Sequence, residues 1–569
     1  MLPSLKIPIR FRPALVDAMA DYSGKKFLAD LSAGVTVGIV AIPLAIAFAM
    51  ASGADARAGL ITAIVAGFLI SALGGSRYQI GGPTGAFVPI LAGIFATYGS
   101  FDSLMICSFM AGVMLVLMGM AGLGKVIKFI PYPVTMGLTS GIAVIIFSSQ
   151  IKDFLGLPID GLEGDFLPKM EQYLDNLGRI NGPTLLIGAA VVLLVIYWPT
   201  QWQRRLPGTF VALILSSLAV KWLNPIIFAK AHQTVLTIGS GKDKILSGFP
   251  VFNLPHMHRS DLTTLFIPAL TIAMLGAIES LQSAVVADGL TNDRHDSNQE
   301  LMGQGIANIF SSMFGGIAAT GAIARTGTNI RCGAVSPVSG MVHAVTLLVI
   351  MLAAAPLANE IPLCALAGIL LVVSFKMGEW HEFKRIRRIP RSDALVFLAV
   401  FALSVLVSLP VAVGVGIVLA AILFIKRVSE ISEVTALDIS HPATGGRPIW
   451  ADDSWPDGVY LFRVQGAFFF GSADVLETSF RRAGAKLRVM VLLCEDVFSI
   501  DATGLIALEN LNDRLKKHKR HLILCKVSHQ PLEAITESGF LEELGKENLT
   551  LTIEDALERA RSILFPPES

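Results

Sequence analysis

Charge is the scarcest property of this 569-residue chain: 16% of its residues are Asp, Glu, Lys or Arg, where soluble domains carry about 25%. That shortfall excludes an ordinary water-soluble protein over most of the length. Nor is one sign concentrated. A formal net charge of +1 leaves no basic surface of the kind nucleic acid requires, so no nucleic-acid partner is expected. The five cysteines (Cys107, Cys332, Cys364, Cys494, Cys525) are scattered, without a CxxC or a His–Cys cluster. They read as buried thiols and exclude a disulfide frame or a zinc site. HExxH, GxSxG and Walker A sequences are lacking too, so hydrolysis and ATP-driven pumping have no support and the chain reads as no enzyme, with no metal or cofactor.

What is present is apolar: 53% hydrophobic residues and a mean hydropathy of +0.64. A membrane helix needs about 20 such residues. Windows of that kind fall near 31–51, 58–74, 86–98, 104–122, 130–149, 183–198 and 207–222. A second set falls near 264–287, 300–316, 325–335, 339–356, 362–378, 393–409 and 411–428. The first follows Lys6, Arg10, Arg12, Lys25 and Lys26 and is too long for a signal-peptide core, so it reads as a span.

This predicts an all-α polytopic membrane domain over 31–428, of fourteen spans arranged seven plus seven, after an N-terminal segment 1–30. Loop charge agrees. With the N-terminus inside, Arg77, Lys125, Lys128, Arg204, Arg205 and the cluster from Lys376 to Arg391 fall in the cytoplasm. The acidic stretch with Asp153, Asp160, Glu163, Asp165 and Glu171 falls outside. An even span count puts both termini in the cytoplasm. From about residue 440 to 569, β-like runs (458–464, 488–494, 521–526) alternate with helical ones (503–517, 530–538, 553–563). That is a small soluble α/β domain.

Two spans are short, glycine-interrupted and polar at their starts. Gln79-Ile80-Gly81-Gly82-Pro83-Thr84-Gly85 precedes the third, and Ala319-Thr320-Gly321-Ala322-Ile323-Ala324-Arg325-Thr326-Gly327 opens the tenth. Broken segments at matching positions of two halves are the sequence mark of an inverted-repeat transporter's binding site. A half-helix starting at mid-membrane leaves backbone N–H groups unpaired, and these with the helix dipole favour an anion. Arg325 at the second start either adds its charge to that site or pairs with a carboxylate such as Glu279. Glu279 lies in the eighth span with Ser283 four residues on, on the same face. The pair suits proton uptake or Na⁺ coordination, or else a hydrogen bond between helices. Pro43 bends the first span and could turn Phe48 toward the cavity. His343 in the eleventh span reads as a bridging hydrogen bond.

The stretches 34–53 (GVTVGIVAIPLAIAFAMASG), 81–87 (GGPTGAF), 274–289 (MLGAIESLQSAVVADG), 303–308 (GQGIAN) and 314–340 (FGGIAATGAIARTGTNIRCGAVSPVSG) resemble the sulfate permease anion transporters. CEDVFSIDATGL at 494–505 is similar to the core of a STAS domain. The resemblance implies a core domain and a gate domain, elevator-like movement, a homodimer in a bacterial inner membrane, and a STAS domain open to a cytoplasmic binding partner. By position it implies an anion site of Thr84, Gly85, Ala86, Ala322, Ala324 and Arg325, lined by Phe48. It implies a cation site of Glu279, Ser283, Gly321 and Ile323. In a sodium-using relative, aspartate and threonine stand where Glu279 and Ser283 do, and Ile323 offers no side-chain oxygen, which favours a proton. Motif wording is closest to bacterial dicarboxylate carriers, implying proton-coupled uptake of succinate, fumarate or aspartate. Sodium-coupled bicarbonate or sulfate transport, or an uncoupled anion channel or exchanger, is the alternative. Thr503 matches the phosphorylated position of anti-sigma-factor antagonists, while Asp501 and Thr503 also suit a helix cap.

Overall fold

A computed structural model describes residues 11–127, 131–159, 166–199, 201–202, 207–225, 234–240, 248–256, 259–431, 433–437, 456–468 and 487–566. Of the residues that carried the charge reading, Lys6, Arg10, Lys128, Asp160, Glu163, Asp165, Arg204 and Arg205 lie outside these. Chain contacts divide the protein into two units, Met1–Val418 and Leu419–Ser569.

A helix occupies each of the fourteen apolar windows. The first seven are α1 (Gly24–Ala51), α2 (Ala56–Leu73), α3 (Val88–Tyr98), α4 (Phe101–Met120), α5 (Tyr132–Ser149), α6 (Gly182–Tyr197) and α7 (Gly208–Leu223). The second seven are α8 (Phe266–Thr291), α9 (Ser297–Met313), α10 (Ile323–Arg331), α11 (Val338–Ala358), α12 (Leu363–Met377), α13 (Arg391–Leu406) and α14 (Leu409–Ile431). Among the described residues, eight helical stretches are long and apolar enough to cross a bilayer. By contrast α10 is nine residues long, and α9 carries polar side chains throughout. Starts follow local chemistry: Asp55 accepts from Ala58 N at the head of α2, and Asp296 from Asn298 N and Gln299 N at the head of α9.

Packing pairs the halves symmetrically. α4 lies along α9 as α2 lies along α11, α1 along α11 as α8 along α4, and α5 along α13 as α12 along α6. Exchanging each helix for the one seven places on maps every pair onto its counterpart. Two bundles result: α1–α4 with α8–α11, and α5–α7 with α12 and α13, where Gly416 of α14 meets Val134 and Val400. Lipid supplies no hydrophobic drive between helices, so close backbone approach does the work. A Cβ on Gly112 of α4 would lie 2.7 Å from the Gly305 carbonyl oxygen and 2.8 Å from Ile309 N of α9. Larger residues there would separate the two helices.

The C-terminal unit holds a five-stranded sheet in the order β3 (Glu433–Leu437), β4 (Val459–Phe468), β5 (Val489–Ile500), β6 (His521–Cys525), β7 (Leu549–Thr550). β3 runs antiparallel to β4 and the remaining pairs are parallel. Val489–Leu493 is buried on both faces, as a parallel strand covered on each side must be. One face packs on α15 (Ala502–Lys517), α16 (His529–Glu537) and α17 (Phe540–Leu544), the other on α18 (Ile553–Leu564). Asp501 caps α15, accepting from Gly504 N at 2.7 Å, and Thr503 is exposed. None of the five cysteines is in a disulfide, and Cys332 is half-buried where a fully buried one was expected, because it lies at the end of α10.

Candidate functional site

The two broken segments meet. β1 (Gly81–Gly82) pairs antiparallel with β2 (Thr320–Gly321), Gly81 opposite Gly321 and Gly82 opposite Thr320. Ala322 N donates to the Ile80 carbonyl at 2.8 Å, and Ile80 N to Thr326 Oγ1 at 3.1 Å. From this crossing the chain leaves through Thr84 and the turn Gly85–Phe87 into α3, and through Ala322 into α10. Neither Thr84 nor Ala322 provides a side-chain cap, and the buried Thr84 Oγ1 has no hydrogen-bond partner among the described residues. Neither segment start is therefore closed by its own side chain.

Arg325 crosses between the halves. It is 3% exposed, and its Nη2 donates to the Pro83 carbonyl. Among the described residues its Nη1 has no hydrogen-bond partner and no acid forms an ion pair with it. The pairing with Glu279 does not form. Gly82 makes room for this reach: its φ is +149° and a Cβ there would stand 2.7 Å from Nη1.

Gly85 faces the seam between the bundles. A Cβ there would meet Ile146 Cδ1 of α5 at 3.1 Å, Phe48 Cε1 of α1 at 3.3 Å and Met377 Sδ of α12 at 3.4 Å. Phe48, Thr84, Gly85, Ala86, Ala322 and Arg325 are buried around the crossing, while Ala324 and Ile323 are exposed at the start of α10. Around the second set the partners differ from those the helix face suggested. Ser283 Oγ donates to Thr326 Oγ1 at 3.1 Å, turning toward α10. Glu279 is half-buried and makes no hydrogen bond to Ser283, Gly321 or Ile323. His343, read as a bridging hydrogen bond, has neither ring nitrogen partnered among the described residues; its ring lies beside Gly67 of α2.

Several residues that hold the crossing escaped the sequence reading. Ser280 Oγ accepts from Gly321 N at 3.1 Å and pairs with Thr320 Oγ1 at 2.8 Å. Asn308 Oδ1 accepts from Ala319 N at 2.8 Å, and the amides of Asn308 and Gln304 both donate to the Ala319 carbonyl. Asn329 Nδ2 donates to the Tyr78 carbonyl at 3.0 Å. The signal for α9 was available: Glu300, Gln304 and Asn308 recur every fourth residue, one buried polar stripe on a helix.

Residues 27–400 match the model of the sulfate permease family and residues 455–556 that of the STAS domain. The putative sulfate transporter YvdB of Bacillus subtilis is 42% identical over 528 residues, 93% of this chain and 96% of its own. The bicarbonate transporter BicA of Picosynechococcus sp. is 31% identical over 549 residues, 94% and 95% of the two chains. The solved transmembrane domain of a cyanobacterial BicA superimposes with a TM-score of 0.61 at 31% identity, over 70% of this chain and 98% of that one. Murine Solute Carrier 26 family member A9 in the inward-facing state gives 0.85 at 17% identity over 97% and 94%, a likeness of fold. On these grounds the chain belongs to the sulfate permease family, membrane transporters of anions and not enzymes, with a STAS domain following the helical unit.

Proposed function

We propose that the crossing of β1 and β2 binds a compact inorganic oxyanion, bicarbonate or sulfate, and that the chain carries it through the membrane. The observation that carries this reading is Arg325, a buried guanidinium with one nitrogen unpartnered and no acid paired to it among the described residues, set between two uncapped segment starts. A buried charge is costly unless something neutralises it, and an anion here meets the guanidinium and the amides together. Phe48, Ile146 and Met377 crowd Gly85 so closely that even a methyl there would be tight, which favours a small ligand. The sulfate and bicarbonate transporters among the relatives support the same class. The dicarboxylate expectation rested on motif wording and has no such support.

Phe48 belongs to one bundle, and Ile146 and Met377 to the other, so the ligand sits at their seam. Elevator-like movement of α1–α4 with α8–α11 against the second bundle then carries the anion across. Glu279, without a hydrogen bond or ion pair among the described residues, takes the coupling cation, either Na⁺ or H⁺. The fourteen-span count, a homodimer, cytoplasmic termini and a STAS-binding partner belong to this same proposal. The test is uptake of labelled sulfate, bicarbonate and succinate into proteoliposomes, each with a Na⁺ or a proton gradient. Arg325→Gln is expected to raise the apparent KM for the transported anion roughly a hundredfold, from the about 2–3 kcal/mol of a charged hydrogen bond. Inorganic anion uptake that is absent, or unchanged in Arg325→Gln, sinks the reading.

A further inference from the structure

His343 is fully buried on α11, yet neither ring nitrogen has a hydrogen-bond partner among the described residues; the Gly340 carbonyl three residues back lies toward the ring without closing a bond of good geometry. Its neighbours locate it beside the anion site. A Cβ on Gly67 would lie 3.6 Å from His343 Nδ1 and 3.2 Å from the Gly81 carbonyl oxygen. One turn earlier on α2, Ala63 Cα would lie 3.5 Å from a Cβ on Gly82, which in turn would stand 2.7 Å from Arg325 Nη1. A Cβ on Gly67 would thus touch both the imidazole and Gly81, while the guanidinium stands beside Gly82, the next residue of β1. The buried amide of Gln79, also unpartnered at both atoms, lies against Gly321 on the other strand.

The chemistry of the pair is complementary. A guanidinium nitrogen only donates, whereas a neutral imidazole keeps one acceptor nitrogen. Buried polar groups that lack protein partners are commonly joined by ordered water. We propose that His343 is a positioning residue for the anion site, holding Arg325 Nη1 through a bridging water so that the guanidinium keeps its aim at the substrate. The Pro83 carbonyl fixes one nitrogen of the fork and His343 the other. Two tethers set the plane of the guanidinium; with one it swings about the remaining bond. This rests on the oxyanion reading above.

The experiment compares wild type with His343→Gln, which keeps an acceptor, and His343→Leu and His343→Met, which keep bulk alone. Each full-length protein is titrated with sulfate and bicarbonate by thermal shift and assayed for uptake. The two apolar variants are expected to raise the anion's half-saturation point and KM about tenfold with kcat within about twofold, while His343→Gln stays near wild type. Methionine adapts to irregular cavities and serves if leucine does not fold. Apolar variants that match wild type, or glutamine that fails as badly as they do, overturn the positioning role. A wild type that neither anion stabilises overturns the oxyanion reading, and this inference with it.

Discussion

Replacing Gly82 with alanine perturbs the proposed anion site without replacing a charged residue. Two costs arise. A φ of +149° is one that a residue with a Cβ occupies only under strain, about 1–3 kcal/mol. The new methyl would also stand 2.7 Å from Arg325 Nη1, against about 3.5 Å for an ordinary contact. The guanidinium must retreat by roughly 0.8 Å, enough to stretch its bond to the Pro83 carbonyl. A charged hydrogen bond is worth about 1.5–3 kcal/mol, so anion affinity should fall about ten- to a hundredfold on top of any loss of stability. Gly99→Ala supplies the control. Its φ is +65° and no atom lies within 4 Å of the added methyl, so it carries backbone strain alone. Sulfate and bicarbonate titrations of the two variants, by thermal shift and by uptake KM, separate the effects. Equal anion affinity in Gly82→Ala and Gly99→Ala would refute the claim that Gly82 exists to seat the guanidinium.

Glu279→Gln keeps shape and removes the charge, so uptake should lose its dependence on the coupling gradient while anion binding by thermal shift persists; retained coupling rejects Glu279 as the cation site. Asn308→Leu strips both bonds to Ala319 and leaves a buried amide unpaired, which should cost about 1–3 kcal/mol in thermal unfolding and raise KM. In the C-terminal unit, burial pushes the Cys494 thiol up from its ordinary 9.0 to about 12. The neutral thiol is the form the fold favours, so its contribution is intact below pH 9 and lost as pH climbs from about 9 toward about 12. Melting curves at rising alkaline pH should show this loss, and Cys494→Ala should flatten it.

The sequence by itself determined the class, the helices and the two broken segments. Apolar windows are set by the thickness of a hydrocarbon layer, a constraint satisfied within one segment, so each of the fourteen windows holds a helix. In the tail, alternation of strand and helix runs was equally local, and the three strands expected there are β4, β5 and β6. The two glycine-broken starts were visible for the same reason. Only the tertiary structure decided which groups meet at them. Pro83 and Arg325 are 242 residues apart, Ile80 and Thr326 are 246, and no periodicity along one helix reports such a bond. Helix-face arithmetic put Ser283 with Glu279, whereas α10 lies close enough for Thr326 to take the hydroxyl. It likewise gave His343 a partner by default, when the ring packed beside Gly67 has neither nitrogen partnered among the described residues. Secondary structure follows from short-range patterning, but a binding site is a property of distances between segments, and those are settled only when the whole core closes.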